Sequence, residues 1–181
     1  SPVAERIDHF TAGMRAEGNG KLTISLNIPL RHSKDAKIAG DYTFTGNRLT
    51  IDPALPPLTE AGGKISFTEN SLTIRGGQAS ALGFPMTLDV ASGGGGVVNV
   101  SARGRASMDA LRGQFQQRWM GALSGTAGWQ AKLGVRKSGS DMTLEADLAQ
   151  VSSALPTPLN KAVGEALTLR VERIGSLDAK E

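Results

Sequence analysis

A two-residue hydrophobic period, repeated along almost the whole chain, is what most constrains the fold. In the stretch Lys21 to Leu30, the residues Leu22, Ile24, Leu26, Ile28 and Leu30 alternate with Lys21, Thr23, Ser25 and Asn27. An extended backbone sends successive side chains to opposite faces, so this stretch predicts a strand with one apolar and one polar side. The same period returns in Ile38, Tyr42 and Phe44, in Phe84, Met86, Leu88 and Val90, and in Val98, Val100 and Ala102. It returns again in Trp129, Ala131, Leu133 and Val135, and in Met142, Leu144, Ala146 and Leu148. A one-sided sheet that wide must cover its apolar face with helices, with a second sheet or with an apolar ligand.

Turn and cap residues place the elements between these runs. Pro2 after Ser1, with Val3, Ile7, Phe10 and Met14 near helical spacing, predicts a short amphipathic helix over 2–16 that ends at Gly18. Strands are expected at 20–30 and 36–46, with a shorter one at 48–52 entered through Gly46-Asn47. Pro53, Pro56 and Pro57 exclude a central strand. Strands resume at 64–68, 71–75, 77–81, 85–91 and 97–104, with Glu69-Asn70 and the Gly93 to Gly96 run as hairpin loops. Ser107 is the expected N-cap of a second helix reaching about Met120, with Met108, Leu111, Phe115 and Trp119 on one side. Gly121 and Gly125 then release the chain into strands at 126–137 and 140–149, joined by the Lys137 to Ser140 turn. A helical turn over 160–165, a last strand carrying Leu167, Leu169 and Val171, and a frayed tail at 176–181 complete the prediction. The predicted class is mostly β: an antiparallel meander of many short strands with two short amphipathic helices. Within this single 1–181 segment, halves 1–104 and 105–175 share an order of helix, hairpin and proline-punctuated stretch. The prolines are those of Leu55-Pro56-Pro57-Leu58 and Leu155-Pro156-Thr157-Pro158-Leu159. Either a weak duplication or a generic helix-plus-meander plan produces that order.

The residues argue against catalysis. The chain has no cysteine, which removes disulfides, thiolate metal sites and thiol nucleophiles. Its two histidines, His9 and His32, have no second ligand at metal spacing, and no residue set suggests a cofactor. Gly121-Ala-Leu-Ser124-Gly125 misses the nucleophile-elbow pattern by one position and precedes a strand instead of following one, so it reads as a helix exit. Asp141, Glu145 and Asp147 alternate with apolar neighbours, which puts them on the solvent side of a strand. The net charge of +3 over 181 residues is spread among acidic side chains, and no apolar run reaches the roughly 18 to 20 residues of a membrane span. Arg103, Arg105, Arg112 and Arg118 gather around the second helix, but nearby strands lack the aromatics that a single-strand nucleic-acid platform stacks on. These arginines either meet lipid phosphates or keep the helix soluble.

The order of motifs resembles the central region of YhdP-type members of the AsmA-like family. The residues that carry the likeness are Gly20-Lys-Leu-Thr-Ile-Ser-Leu-Asn-Ile-Pro-Leu30, Ile38-Ala-Gly40-Asp-Tyr42-Thr-Phe44, Gly46-Asn-Arg-Leu49 and Gly63-Lys-Ile-Ser-Phe67-Thr-Glu69. Later come Ala81-Leu-Gly-Phe-Pro85, Leu123-Ser-Gly-Thr-Ala-Gly-Trp129 and Ser153-Ala-Leu-Pro156-Thr-Pro158-Leu159-Asn-Lys161. Gln150-Val151 departs from the pattern, which has a glycine before the serine pair. The resemblance implies a curved, groove-like sheet in a periplasmic segment of an inner-membrane-anchored protein. It also implies phospholipid acyl chains as cargo, neighbouring segments of the same chain as partners, and membrane contact only outside this piece.

On that reading the lipid-contacting candidates are Leu26, Ile28, Tyr42, Phe44, Met86, Leu88, Val98, Val100, Leu133, Val135, Met142 and Leu144. The head-group candidates are Arg103, Arg105, Arg112 and Arg118. Two alternatives stand beside it: the same apolar face is simply a core closed by the helices, or the segment is a docking module that joins its neighbours by strand addition.

Overall fold

The computed structural model describes residues 15–27, 37–50, 57–68, 70–92, 96–136 and 139–176. The expected helix up to residue 14, Ile28, His9, His32, Pro53, Pro56, Glu69, the glycines 93–95, Lys137-Ser138 and the tail beyond 176 lie outside them. The strands are β1 (Arg15–Glu17), β2 (Gly20–Asn27), β3 (Lys37–Thr50), β4 (Leu58–Thr68), β5 (Leu72–Ala81), β6 (Phe84–Ser92) and β7 (Val98–Ser107). Helix α1 (Met108–Phe115) and a 3-10 turn (Arg118–Ala122) lead to β8 (Leu123–Arg136), β9 (Gly139–Asp147), β10 (Val151–Ser153) and β11 (Thr168–Ser176). All pairings are antiparallel, and the strands follow chain order across the sheet. β1 and β2 share one edge of β3, and β10 pairs with the start of β8. This is the antiparallel meander that the alternation predicts, in the open, curved form that the resemblance implies.

Several boundaries differ from the prediction, each for a local reason. Arg15 and Ala16 are strand, not the end of a helix, because they pair with Thr50 and Leu49. Of the expected 48–52 strand, the described residues 48–50 are the continuation of β3, since Gly46 at φ +70° forms a bulge instead of a break. β5 likewise runs unbroken through Gly76 at φ +60°. β4 begins at Leu58, not at 64, because Gly62-Gly63 is not a turn. Gly63 lies against the backbone of β5, where an added Cβ would sit 3.3 Å from the Gly77 Cα. Bulges at Gly46 in β3, Glu60 in β4 (φ 51°) and Gly76 in β5 occupy three successive strands. Stacked bulges bend and coil a sheet, and these curve it at one side.

Ser107 caps α1 as expected, its Oγ accepting from the backbone N–H groups of Asp109 (3.2 Å) and Ala110 (3.4 Å). The helix is shorter than predicted. Gln116 turns left-handed at φ 47°, its N–H bonds the Arg112 carbonyl, and the chain continues as the 3-10 turn. Residues 160–165 form no helical turn. Lys161 instead bridges to Ser153, and its Nζ donates to the Val151 (2.9 Å) and Ala162 (3.0 Å) carbonyls. β9 stops at Asp147, whose carboxylate accepts from the Ala149 N–H and starts the turn into β10.

Two apolar clusters hold the sheet. Phe44, Leu58, Ala61, Ala79 and Met86 form the larger, joined by Tyr42, Leu49, Ile65, Ala81, Ala102 and Trp129. Met108, Ala127 and Val151 form the smaller, where α1 seats on the sheet with Leu111, Leu123 and Leu148.

Candidate functional site

Cross-strand pairing turns the alternation into rows that run across the sheet. Paired residues in an antiparallel ladder point to the same face, so the register identifies each row's members directly. One row reads Leu22, Tyr42, Ile65, Ile74, Val90, Val100, Leu133, Met142 and Arg173. The next includes Gly77, Leu88, Ala102, Ala131, Leu144 and Val171. A third holds Ala79, Met86, Gly104, Trp129, Ala146 and Leu169. Leu26 pairs with Ile38, and Val98 with Val135, toward the other end of the strands. The described lipid candidates therefore all lie on one face.

Burial divides that face. Phe44 (8% exposed) and Met86 (7%) belong to the closed cluster near the end that α1 covers. Tyr42, Leu88, Val98, Val100, Leu133, Val135, Met142 and Leu144 are half-buried, and Leu26 is 61% exposed beside Leu22 (54%) and Ile24 (51%). Among the described residues no second sheet covers these rows, and α1 packs mainly on β7 and β8, with Met108 also against Val151 of β10. The apolar surface is both core and open face, separated by row.

Glycines set the floor's shape. The Tyr42 ring lies over Gly20, the Phe67 ring over Gly40, and Trp129 against Gly104, where an added Cβ would come within 3.0 Å of the Met86 Cβ and 3.1 Å of the Trp129 Cζ2. Flat rings over cross-strand glycines fill the sheet without raising a ridge. Tyr42 also stacks on Phe44, with centroids 5.8 Å apart. The Trp129 Nε1–H is buried within the cluster without an acceptor.

The opposite face is polar and charge-paired. Arg136 pairs with Asp141, Arg170 with Glu145 and Glu172, and Gln130 donates to Glu145. Asp141 and Glu145 thus lie on the solvent side, as the alternation predicts. The Glu172 carboxylate, with Glu145 beside it, holds the Arg170 guanidinium above its ordinary range. Asp41 accepts from Ser66 Oγ (2.7 Å) and pairs with Lys64 (3.1 Å), and these contacts, Ser66 foremost, hold its carboxyl below the usual range. A depressed carboxyl stabilises the fold fully above its unfolded value, about 3.9, and that contribution disappears as pH falls through the lower folded value. Ser66→Ala is accordingly expected to raise the Asp41 midpoint in a carbon-detected NMR titration. An unchanged midpoint would show that the hydroxyl makes no such bond.

The four head-group candidates do not form one patch. Arg103 and Arg105 are on the polar face, bonded to the hydroxyls of Thr87 (3.1 Å) and Thr126 (2.7 Å), and Arg105 also covers the Phe84 ring. Arg112 is taken up structurally, donating to the Met120 (3.3 Å) and Leu123 (2.9 Å) carbonyls and pairing with Asp109 (3.2 Å). Arg118 is exposed on the 3-10 turn. The candidates missed a cation in the apolar register itself, Arg173, two positions beyond Val171; continuing the period past the last aliphatic would have found it.

Among the described residues no group of histidine or acidic side chains is placed to hold a metal, and no helix is long and apolar enough to cross a membrane. The family model described as YhdP protein matches residues 1–181. The chain belongs to the YhdP family. A curated relative, the intermembrane phospholipid transporter YhdP of Escherichia coli (strain K12), is 28% identical over 191 aligned residues. The alignment covers 100% of this chain and 15% of that protein, so the chain spans a small part of its relative's length. No solved structure matches the chain.

Proposed function

We propose that this chain is a non-catalytic periplasmic segment of an intermembrane phospholipid bridge whose open rows receive acyl chains. The observation that carries the reading is the cross-strand row from Leu22 to Met142, apolar at every described strand it crosses and without a covering layer among the described residues. At about 4.8 Å per strand, the eight strands from β2 to β9 extend roughly 34 Å, more than the ~30 Å hydrocarbon thickness of a bilayer. Each methylene sheltered there gains about 0.8 kcal/mol, a small step that favours occupancy while letting chains exchange along the row. The phospholipid-transporter name of the Escherichia coli relative supports the cargo. The anchor and the membrane contacts belong to other parts of the protein.

Photo-crosslinking amino acids placed in the full-length chain test this. Lipid adducts are expected from Ile24, Val100 and Leu133 on the apolar face, and none from Lys132 or Thr143 on the polar face. Equal labelling of both faces, or none from the first three, would sink the reading.

A second reading rests on the edges. Every residue of β2 is exposed, and β11 has no partner beyond β9 among the described residues, so both edges offer backbone for strand addition by neighbouring segments. That role alone predicts protein adducts at β2 and β11 with no lipid adduct at Leu133.

A further inference from the structure

The row that begins at Leu22 ends on a charge. Arg173 pairs with Met142 on the edge strand β11, between Val171 and Gly175 in the apolar register. In the cross-strand rows of the described strands, it is the sole ionised side chain on the apolar face. Its neighbour Arg170, three residues away, points to the polar face and is held by Glu145 and Glu172. Arg173 is exposed, and among the described residues no carboxylate lies at ion-pair distance from it. An arginine at this register can lay its aliphatic stem along the apolar row and offer its planar fork to a phosphate oxygen pair, the bidentate geometry that a guanidinium favours.

We infer that Arg173 anchors the phosphodiester of a glycerophospholipid at the β11 end of the open row, with the acyl chains laid across β9, β8 and β7. This rests on the acyl-chain reading above. One leaflet of hydrocarbon is about 15 Å deep, half of the ~30 Å core. Three strand spacings of about 4.8 Å span nearly that distance and bring the tails over Met142, Leu133 and Val100. The cation would make the row a stopping place for charged lipids, where an all-aliphatic row would be indifferent to the head group.

The test uses the full-length protein with a photo-crosslinker at Leu133, offered vesicles of phosphatidylethanolamine and phosphatidylglycerol carrying traces of labelled phospholipid or labelled diacylglycerol. Arg173→Gln is expected to lower the phospholipid adduct about tenfold, the size of one lost charge-assisted contact, and to leave the diacylglycerol adduct unchanged. Arg173→Lys should restore part of the phospholipid adduct. An unchanged phospholipid adduct in Arg173→Gln would overturn the anchor and leave the charge as protection of an exposed edge. Equal loss of both adducts would overturn it too, since the effect would not follow the phosphate. No adduct of either lipid in the parent protein would instead overturn the acyl-chain reading on which the anchor depends.

Discussion

Met86→Ala should loosen strands β4 to β6 by about 2–4 kcal/mol, whereas Leu22→Ala, on the same face, should change stability by less than about 0.5 kcal/mol. Met86 is 7% exposed and packs in one cluster with Phe44, Leu58, Ala61 and Ala79, with Trp129 against it. Its cross-strand partner is Gly104, which has no side chain to move into the space the thioether leaves. The cavity would therefore persist, and a persistent cavity adds its own cost to the lost transfer energy. Leu22 is 54% exposed and leaves nothing empty when shortened. Hydrogen exchange in the full-length chain reads the difference. Amides of β4 to β6 should exchange roughly one and a half to three decades faster in Met86→Ala and at near parental rates in Leu22→Ala. Similar small effects from both would mean that the whole face is open and the division by row is wrong.

The face itself was legible in the sequence, because a period of two fixes which side chains share a side. Leu26, Val100 and Leu144 lie together for that reason alone. Alternation is silent on register, however, and register decides that Tyr42 stands in one row with Val100 and Met142. The bulges were harder still. Gly46 and Gly76 read as strand ends, since glycine inside a strand weakens it, and Glu60 carries no signal for its left-handed backbone. Those three positions curve the sheet, so the separation of Phe44 and Met86 as core from Leu133 and Met142 as open surface was beyond the pattern. The arginine cluster shows a related failure. Proximity in sequence grouped Arg103, Arg105, Arg112 and Arg118, while a strand's alternation turned the first two to the polar face and the Met120 and Leu123 carbonyls beyond the helix took up Arg112.

Gly125→Ala is expected to destabilise the α1 end of the sheet by more than about 2 kcal/mol, and Gly121→Ala to be tolerated within about 0.5 kcal/mol. In sequence the two glycines look alike, both placed where the chain leaves the helix. Gly125 has φ +102°, and an added Cβ would overlap the Gln150 carbonyl oxygen, a backbone atom that cannot rotate away. That oxygen already accepts from the Thr126 N–H, and Gly125 itself pairs with Val151 in β10. Relieving the overlap means moving β10 off β8. Val151 is 4% exposed and forms, with Met108 and Ala127, the cluster on which α1 rests, so the helix would lose its seat along with the strand. Gly121 has open space at its Cβ position and a φ outside the left-handed range. Exchange should therefore accelerate at Val151 to Ser153 and through α1 in Gly125→Ala, with the β2 to β5 amides unaffected. If the two variants behave alike, the close approach of β10 to β8 does not depend on a missing side chain, and α1 is held by its Ser107 cap and the Arg112 contacts instead.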